Sequence, residues 1–188
     1  MPRPDHSRAA LIGTAATLFR RQGYAATGLK QILDDAGVRP GSLYHHFPDG
    51  KQQLAAAVVG TAGAAIEQLL RSFLASDRPV ADVVDQWVDL LVAGLAGDHR
   101  DGCPIAPIAT EAVHASPLVR EASAHAFKGW SAAIAERLNA EGWAATDAES
   151  VALAVVSLIE GALILSRVAG DAAALQAVKP AARTLLSG

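Results

Sequence analysis

The sequence predicts an all-α protein, and three observations carry that prediction. Apolar residues recur at helical spacing through almost the whole chain. Capping residues and Gly or Pro punctuate the periodic stretches at lengths that suit helices. No run of alternating apolar and polar residues, internal repeat or low-complexity segment competes with that pattern. About nine helices are expected. They divide into an N-terminal three-helix unit with a helix-turn-helix, residues 1–50, and a C-terminal helical bundle, residues 51–188.

Composition narrows the class. With 188 residues and 51% hydrophobic content, the chain can bury one good core, or a small module plus a larger one. A single cysteine, Cys103, excludes an intrachain disulfide and suits a reducing cytosol. The start, Met1-Pro2-Arg3-Pro4-Asp5-His6, carries no apolar h-region, so no signal peptide is expected. The longest apolar run, Val151 to Leu165, is interrupted by Ser157, Glu160 and Gly161. It reads as too short and too broken to span a bilayer, so a soluble protein with no membrane partner is expected. The net charge of −3 conceals a division. Residues 1–51 hold seven Lys/Arg against four Asp/Glu, and residues 52–188 hold nine against fifteen. A basic first quarter on an acidic remainder fits a nucleic-acid head on a body with other work, or chance segregation in a short segment.

The first helix is expected over Ser7–Arg21, with Leu11, Ala15, Leu18 and Phe19 in one stripe, Arg20 and Arg21 in the last turn and Gly23 beyond it. Thr27 reads as the N-cap of a second helix that turns Leu29, Ile32 and Leu33 to one face and stops at Gly37. Pro40 opens a third helix, to about Phe47, whose Leu43 and Phe47 face inward four residues apart. Ser42, Tyr44, His45 and His46 are left for the outside. A short helix pinned by two apolar residues and presenting hydroxyls, imidazoles and a phenol matches a recognition helix.

Asp49 with Gln52 suggests a capping box for a long fourth helix through Leu54, Val58, Thr61, Ile66, Leu69, Leu70 and Phe73 to about Ser76. No Pro/Gly-rich linker intervenes, so a rigid link from head to body is expected. A fifth helix, Val80–Ala96, aligns Val80, Val84, Trp87, Val88, Leu91 and Leu95. A polar loop with Asp98, His99, Arg100 and Asp101 follows. Gly102–Glu111 starts a sixth helix, with its prolines confined to the first turn. Ser116-Pro117 caps a seventh, placing Phe127, Trp130, Ile134 and Leu138 together and stopping at Gly142. Thr146 to Glu149 reads as a capping box for the eighth, and the ninth lies between Asp171 and Leu186, kinked or restarted at Pro180. The eighth is apolar or small nearly all round from Val151 to Val168, which demands burial on more than one side. A dimer interface made by helices 8 and 9 of each subunit meets that demand, as would the centre of a monomeric bundle.

Gly41-Ser42-Leu43-Tyr44-His45-His46-Phe47, with Lys51 and Leu54 after it and Ala16-Thr17-Leu18-Phe19, Gly23-Tyr24 and Thr27 before it, resembles the DNA-binding domain of the TetR family of bacterial repressors. The resemblance covers roughly the first quarter of the chain. It implies phosphate contacts by Tyr44, His46 and Lys51. It also turns Arg39, Gly41, Ser42 and His45 toward the major groove, with Arg39 and His45 the best base readers. Thr27 and Lys30 lie at a helix N-terminus able to receive a phosphate, and Lys30 reads equally as a solvated surface lysine. Two departures stand out. Arg39 replaces the usual small polar cap, and Phe47-Pro48-Asp49-Gly50-Lys51 is a residue longer than the commonest connection. That longer form, with Gly102-Cys103-Pro104-Ile105, resembles the LmrA/YxaF-like branch.

In the body, Trp87, Leu91, Phe127, Trp130 and Ile134 read first as core. Around a cavity they would line it, with Cys103, Ile105, Ile108 and Glu160 nearby, as a largely apolar effector site. Glu160 inside the apolar eighth helix is costly unless it reaches an end, a partner at the dimer interface, or a ligand. Cys103 reads as a small buried thiol, with no visible thiolate-stabilising surroundings. Glu111-x-x-His114 has the spacing of di-metal bundles but no second such pair, and Glu121 with His125 completes at most a mononuclear site. No nucleophile–base arrangement or Gly-rich phosphate loop appears, so no enzyme, metal or cofactor is expected. The expected protein is a homodimeric, ligand-responsive DNA-binding regulator of the cytoplasm, associated with the nucleoid. It is read as a repressor released from a near-palindromic double-stranded operator by a small apolar or aromatic effector. The rivals are a metal-carrying or enzymatic bundle around Glu111, His114, Glu121 and His125, and a helix-turn-helix used for protein contact alone.

Overall fold

The computed structural model describes residues 6–97 and 102–187, so the expected loop residues Asp98–Asp101 and the first five residues lie outside the described residues. Among the described residues there are nine α-helices and no strand: α1 (Ser7–Gln22), α2 (Leu29–Ala36), α3 (Pro40–His46), α4 (Lys51–Leu74), α5 (Val80–Gly97), α6 (Ala106–Ala112), α7 (Pro117–Ala140), α8 (Ala145–Ala169) and α9 (Ala173–Leu185). They form two compact units, Met1–Gly63 with Pro104–His125, and Ala64–Cys103 with Ala126–Gly188. The head expected to end at residue 50 is therefore part of a larger unit that also holds the start of α4, all of α6 and the start of α7.

In the first unit α1 packs on α2, α3 and α6. Its core is Leu11, Ile12, Ala15, Phe19, Ile32, Leu43, Phe47, Leu54 and Val58, all buried. The inward pair of α3 is thus as the periodicity requires. The α2–α3 turn also follows the sequence: Gly37 sits at φ +64, where a side chain is disfavoured, and Val38 N–H closes the turn on Leu33 O at 3.0 Å.

Several caps differ from expectation. Thr27 does not cap α2; Gly28 takes that position without a side-chain bond. Thr27 is instead fully buried, donating its hydroxyl to Gly23 O at 2.7 Å and accepting from Gln22 Nε2 at 3.2 Å. At α4 the reciprocal bond comes from Gln53, whose Oε1 accepts Asp49 N–H at 3.1 Å, not from Gln52, because the helix begins at Lys51. α6 begins at Ala106, four residues later than expected, with Pro107 in its first turn. α8 begins at Ala145, so Thr146 and Glu149 lie inside it and no side chain caps it. α9 runs through Pro180 without restarting.

In the second unit α9 packs on α5 and α8. α8 buries Ala148, Ala152, Val155, Val156, Ile159, Ala162 and Leu163 on one face. Leu153, Ile164, Leu165 and Val168 stand exposed on the rest, Val168 at 82%. At 25 residues α8 is long and apolar enough, with mean hydropathy 2.0 in its best window, to cross a bilayer, and α4 passes the same test. The expectation that this run was too short is corrected: helix extends beyond the apolar run at both ends. α7 ties the unit together through Arg137. Its Nη1 donates to Leu74 O and Ser76 O, both at 2.6 Å, satisfying carbonyls that the end of α4 leaves open.

Candidate nucleic-acid interface

α3 is held by Leu43 and Phe47, and this fixes which of its side chains face out. Tyr44, at 54% exposure, and His45 stand in solvent, with Gly41 exposed beside them. Ser42 is half-buried. His46 departs from the outward position expected for it. It is half-buried, its Nε2 lies 2.8 Å from Ser7 Oγ at the start of α1, and its ring stands edge-on to Phe47. It braces α3 against α1.

Arg39 occupies the N-cap of α3 in an extended conformation with no side-chain cap bond, and its side chain is exposed. The helix start is closed by backbone alone, Ser42 N–H to Arg39 O at 3.0 Å. Lys30 is an exposed lysine paired loosely with Asp34 one turn on, at 3.4 Å. Thr27, named with Lys30 for a phosphate, offers no side-chain surface; its buried hydroxyl braces the α1–α2 turn.

Lys51, the first residue of α4, is half-buried with its ammonium 4.2 Å from the centre of the Tyr24 ring. Burial lowers its pKa, and the nearby Glu111 carboxylate opposes that shift. Burial also raises the Tyr24 phenol. Tyr24 rests in turn on Phe19, centroids 5.4 Å apart. Sequence reasoning misses this Phe19–Tyr24–Lys51 stack, although Gly23-Tyr24 and Lys51 both belong to the motif that carries the resemblance. It also misses Arg8, whose guanidinium lies 5.6 Å over Phe47.

The body candidates divide between the units. Ile105 and Ile108 are buried in the first. In the second, Trp87, Cys103, Trp130 and Ile134 are buried, and Leu91, Phe127 and Glu160 are half-buried. Phe127 and Trp130 meet edge to face at 5.2 Å. Burial raises the Glu160 carboxyl, and a hydrogen bond from the Cys103 thiol opposes that shift. Two grooves of the same unit are lined by other residues. One of about 500 Å³ runs between α7 and α8 past Lys128, Glu136, Glu149 and Leu153. One of about 330 Å³ lies between α8 and α9 along Leu158, Gly161, Leu165, Ala177 and Val178. Glu111, His114, Glu121 and His125 are all exposed, and Glu111 is engaged by the backbone of Ala25. No group of three metal-ligating side chains forms among the described residues.

A helix-turn-helix with an outward recognition face, joined to a larger helical body, defines the chain as a DNA-binding transcriptional regulator. Residues 11–58 match the family model for bacterial regulatory proteins of the tetR family, and residues 79–181 match that for the LmrA/YxaF-like transcriptional regulator C-terminal domain. The HTH-type transcriptional regulators YxaF and LmrA of Bacillus subtilis are each 32% identical to it. The YxaF match covers 85% of this chain and 84% of the relative, and the LmrA match 90% of both. A TetR transcriptional regulator from Legionella pneumophila shares the fold at TM-score 0.85 and 20% identity, over 99% of this chain and 100% of that one. The chain belongs to the TetR family of transcriptional regulators, in its LmrA/YxaF-like branch, and its relatives are regulators rather than enzymes.

Proposed function

We propose that the protein is a cytoplasmic, nucleoid-associated homodimeric repressor, released from a near-palindromic operator by a small, largely apolar effector. The observation that carries this reading is the outward set on α3: Arg39, Tyr44 and His45 exposed on a helix whose Leu43 and Phe47 are locked in the core. Residues 1–50, joined by Lys51 at the start of α4, supply DNA binding, and the remainder of 51–188 supplies effector binding and dimerisation. Tyr44 and Lys51, with Lys30 at the edge, grip phosphates; Arg39 and His45, with Gly41 and Ser42 allowing close approach, read base edges. His46 acts by bracing α3.

Dimerisation uses the exposed Leu158 and Leu165 of α8 and the small-residue groove between α8 and α9, apolar surface of the kind that marks an interface. The effector is held in the second unit by Trp87, Leu91, Phe127, Trp130 and Ile134. Glu160 and Cys103 supply its polar anchor. The effector shifts DNA affinity only through its preference for one shape of the dimer over the other. A binding selection from random duplexes tests the reading: it should return a near-palindrome, bound with an affinity that falls steeply with salt. Weak, salt-insensitive binding with no enriched sequence would overturn it.

A further inference from the structure

In the first unit a carboxylate from α6 reaches the α1–α2 turn of the head. Glu111 Oε2 accepts the Ala25 N–H at 2.6 Å, across 86 residues of chain. A Cβ added to Gly23 would fall 2.5 Å from Glu111 Oε1, so the carboxylate lies close against this backbone, and the φ of +89 holds the position to glycine. The turn is braced from within by Thr27, whose hydroxyl bonds Gly23 O. Glu111 braces it from outside.

The same turn carries Tyr24, and the Lys51 ammonium rests on the Tyr24 ring. Lys51 follows Gly50, where a Cβ would lie 3.7 Å from the Tyr44 ring. The Tyr44 ring thus lies near the backbone of Gly50, the residue before Lys51, and Lys51 leans on the turn that Glu111 fixes.

We propose that Glu111 is a positioning residue for DNA binding: by holding the Gly23–Ala25 backbone it sets the platform on which Lys51 meets phosphate. The role rests on the phosphate contact assigned to Lys51. It is carried by the hydrogen bond rather than by the carboxylate's charge, because a negative charge beside a phosphate-facing ammonium works against DNA.

The test compares the full-length parent with Glu111→Ala, Glu111→Gln and Lys51→Ala. Two quantities are read: amide hydrogen exchange at Ala25, and anisotropy of a fluorescein-labelled random-sequence duplex at low salt. Glu111→Ala should speed Ala25 exchange and weaken duplex binding by roughly three- to tenfold, the scale of one net hydrogen bond. Glu111→Gln, whose amide oxygen still accepts, should return both readings to within about twofold of the parent. If Glu111→Ala melts too early to assay, Glu111→Asp, one methylene short of reach, should weaken binding in its place. Unchanged Ala25 exchange in the shortened variant, unchanged DNA affinity despite faster exchange, or a Gln variant as impaired as Ala would each overturn the positioning role. A Lys51→Ala protein that binds DNA like the parent would overturn the phosphate reading and this role with it. A weakened Lys51→Ala beside an unaffected Glu111→Ala removes only the role of Glu111.

Discussion

Tyr44 and His45 are neighbours on α3, both exposed, yet they are expected to fail differently when replaced. Tyr44→Ala should weaken binding to selected and random duplexes alike while leaving the salt slope unchanged, because a neutral phenol releases no counterion. His45→Ala and Arg39→Ala should instead relax preference at one or two operator positions, each costing about 1–3 kcal/mol of discrimination. Titrations on both kinds of duplex at several salt concentrations separate the two classes. Glu160 makes a prediction of its own. Its carboxyl is raised above the ordinary range, mainly by burial, so the folded protein holds that proton more tightly than the unfolded chain. Stability from this group is complete at low pH and is lost as pH rises from the unfolded value through the raised one. Glu160→Gln should therefore melt higher than the parent at neutral pH, with the advantage vanishing below about pH 4. A constant difference across thermal melts from acid to neutral pH would contradict this.

At the scale of the element, two helix ends show how local chemistry and tertiary contacts share the work. Gly37 ends α2 at φ +64, and a Cβ there would meet nothing within 4 Å. Gly37→Ala should then cost about 1–2 kcal/mol from backbone conformation alone, read as a shift in denaturant midpoint with unchanged m. At the end of α4 the local device is only partial, the Ser76 hydroxyl donating to Phe73 O at 2.8 Å. Arg137 of α7 donates to Leu74 O, Ser76 O and Arg78 O, and pairs with Glu141. Arg137→Ala strands those carbonyls and should destabilise by roughly 1.5–3 kcal/mol. Arg137→Lys should recover only part, since an ammonium lacks the guanidinium fork.

At the scale of the molecule, the exposed apolar face of α8 is the feature a lone subunit leaves unexplained. Leu165, at 62% exposure, borders the α8–α9 groove. Leu165→Glu should leave the subunit folded, because the side chain is not in its core. The same change should convert a dimer to a monomer in sedimentation and abolish tight binding to a palindromic duplex. A variant that remains dimeric would move the interface elsewhere. The length of α8 and its hydropathy alone would equally describe a membrane span. Membership of a regulator family is what gives the apolar face its meaning.

The helices themselves were legible because each buries a periodic apolar stripe. Leu43 with Phe47 and Trp130 with Ile134 and Leu138 were read from spacing and are buried as read. Gly37, Pro40 and Ser116 mark helix ends correctly because their effect is confined to their own turn. The caps misread at Thr27, Gln52 and Thr146 share a cause: a side-chain oxygen near a helix start has several possible partners, and packing chooses among them. Thr27 was drawn inward to Gly23, and Gln53 rather than Gln52 reached Asp49. By itself the sequence determined the all-α class, the helix-turn-helix and the outward placement of Tyr44 and His45, since periodicity and short-range sterics act within a few residues. Only the tertiary structure decided that His46 faces Ser7, that Lys51 lies on Tyr24, and that Glu111 meets Ala25. These contacts join residues far apart in the chain, and a hydrogen bond or ring contact forms only where the packed cores of separate helices bring its partners within reach.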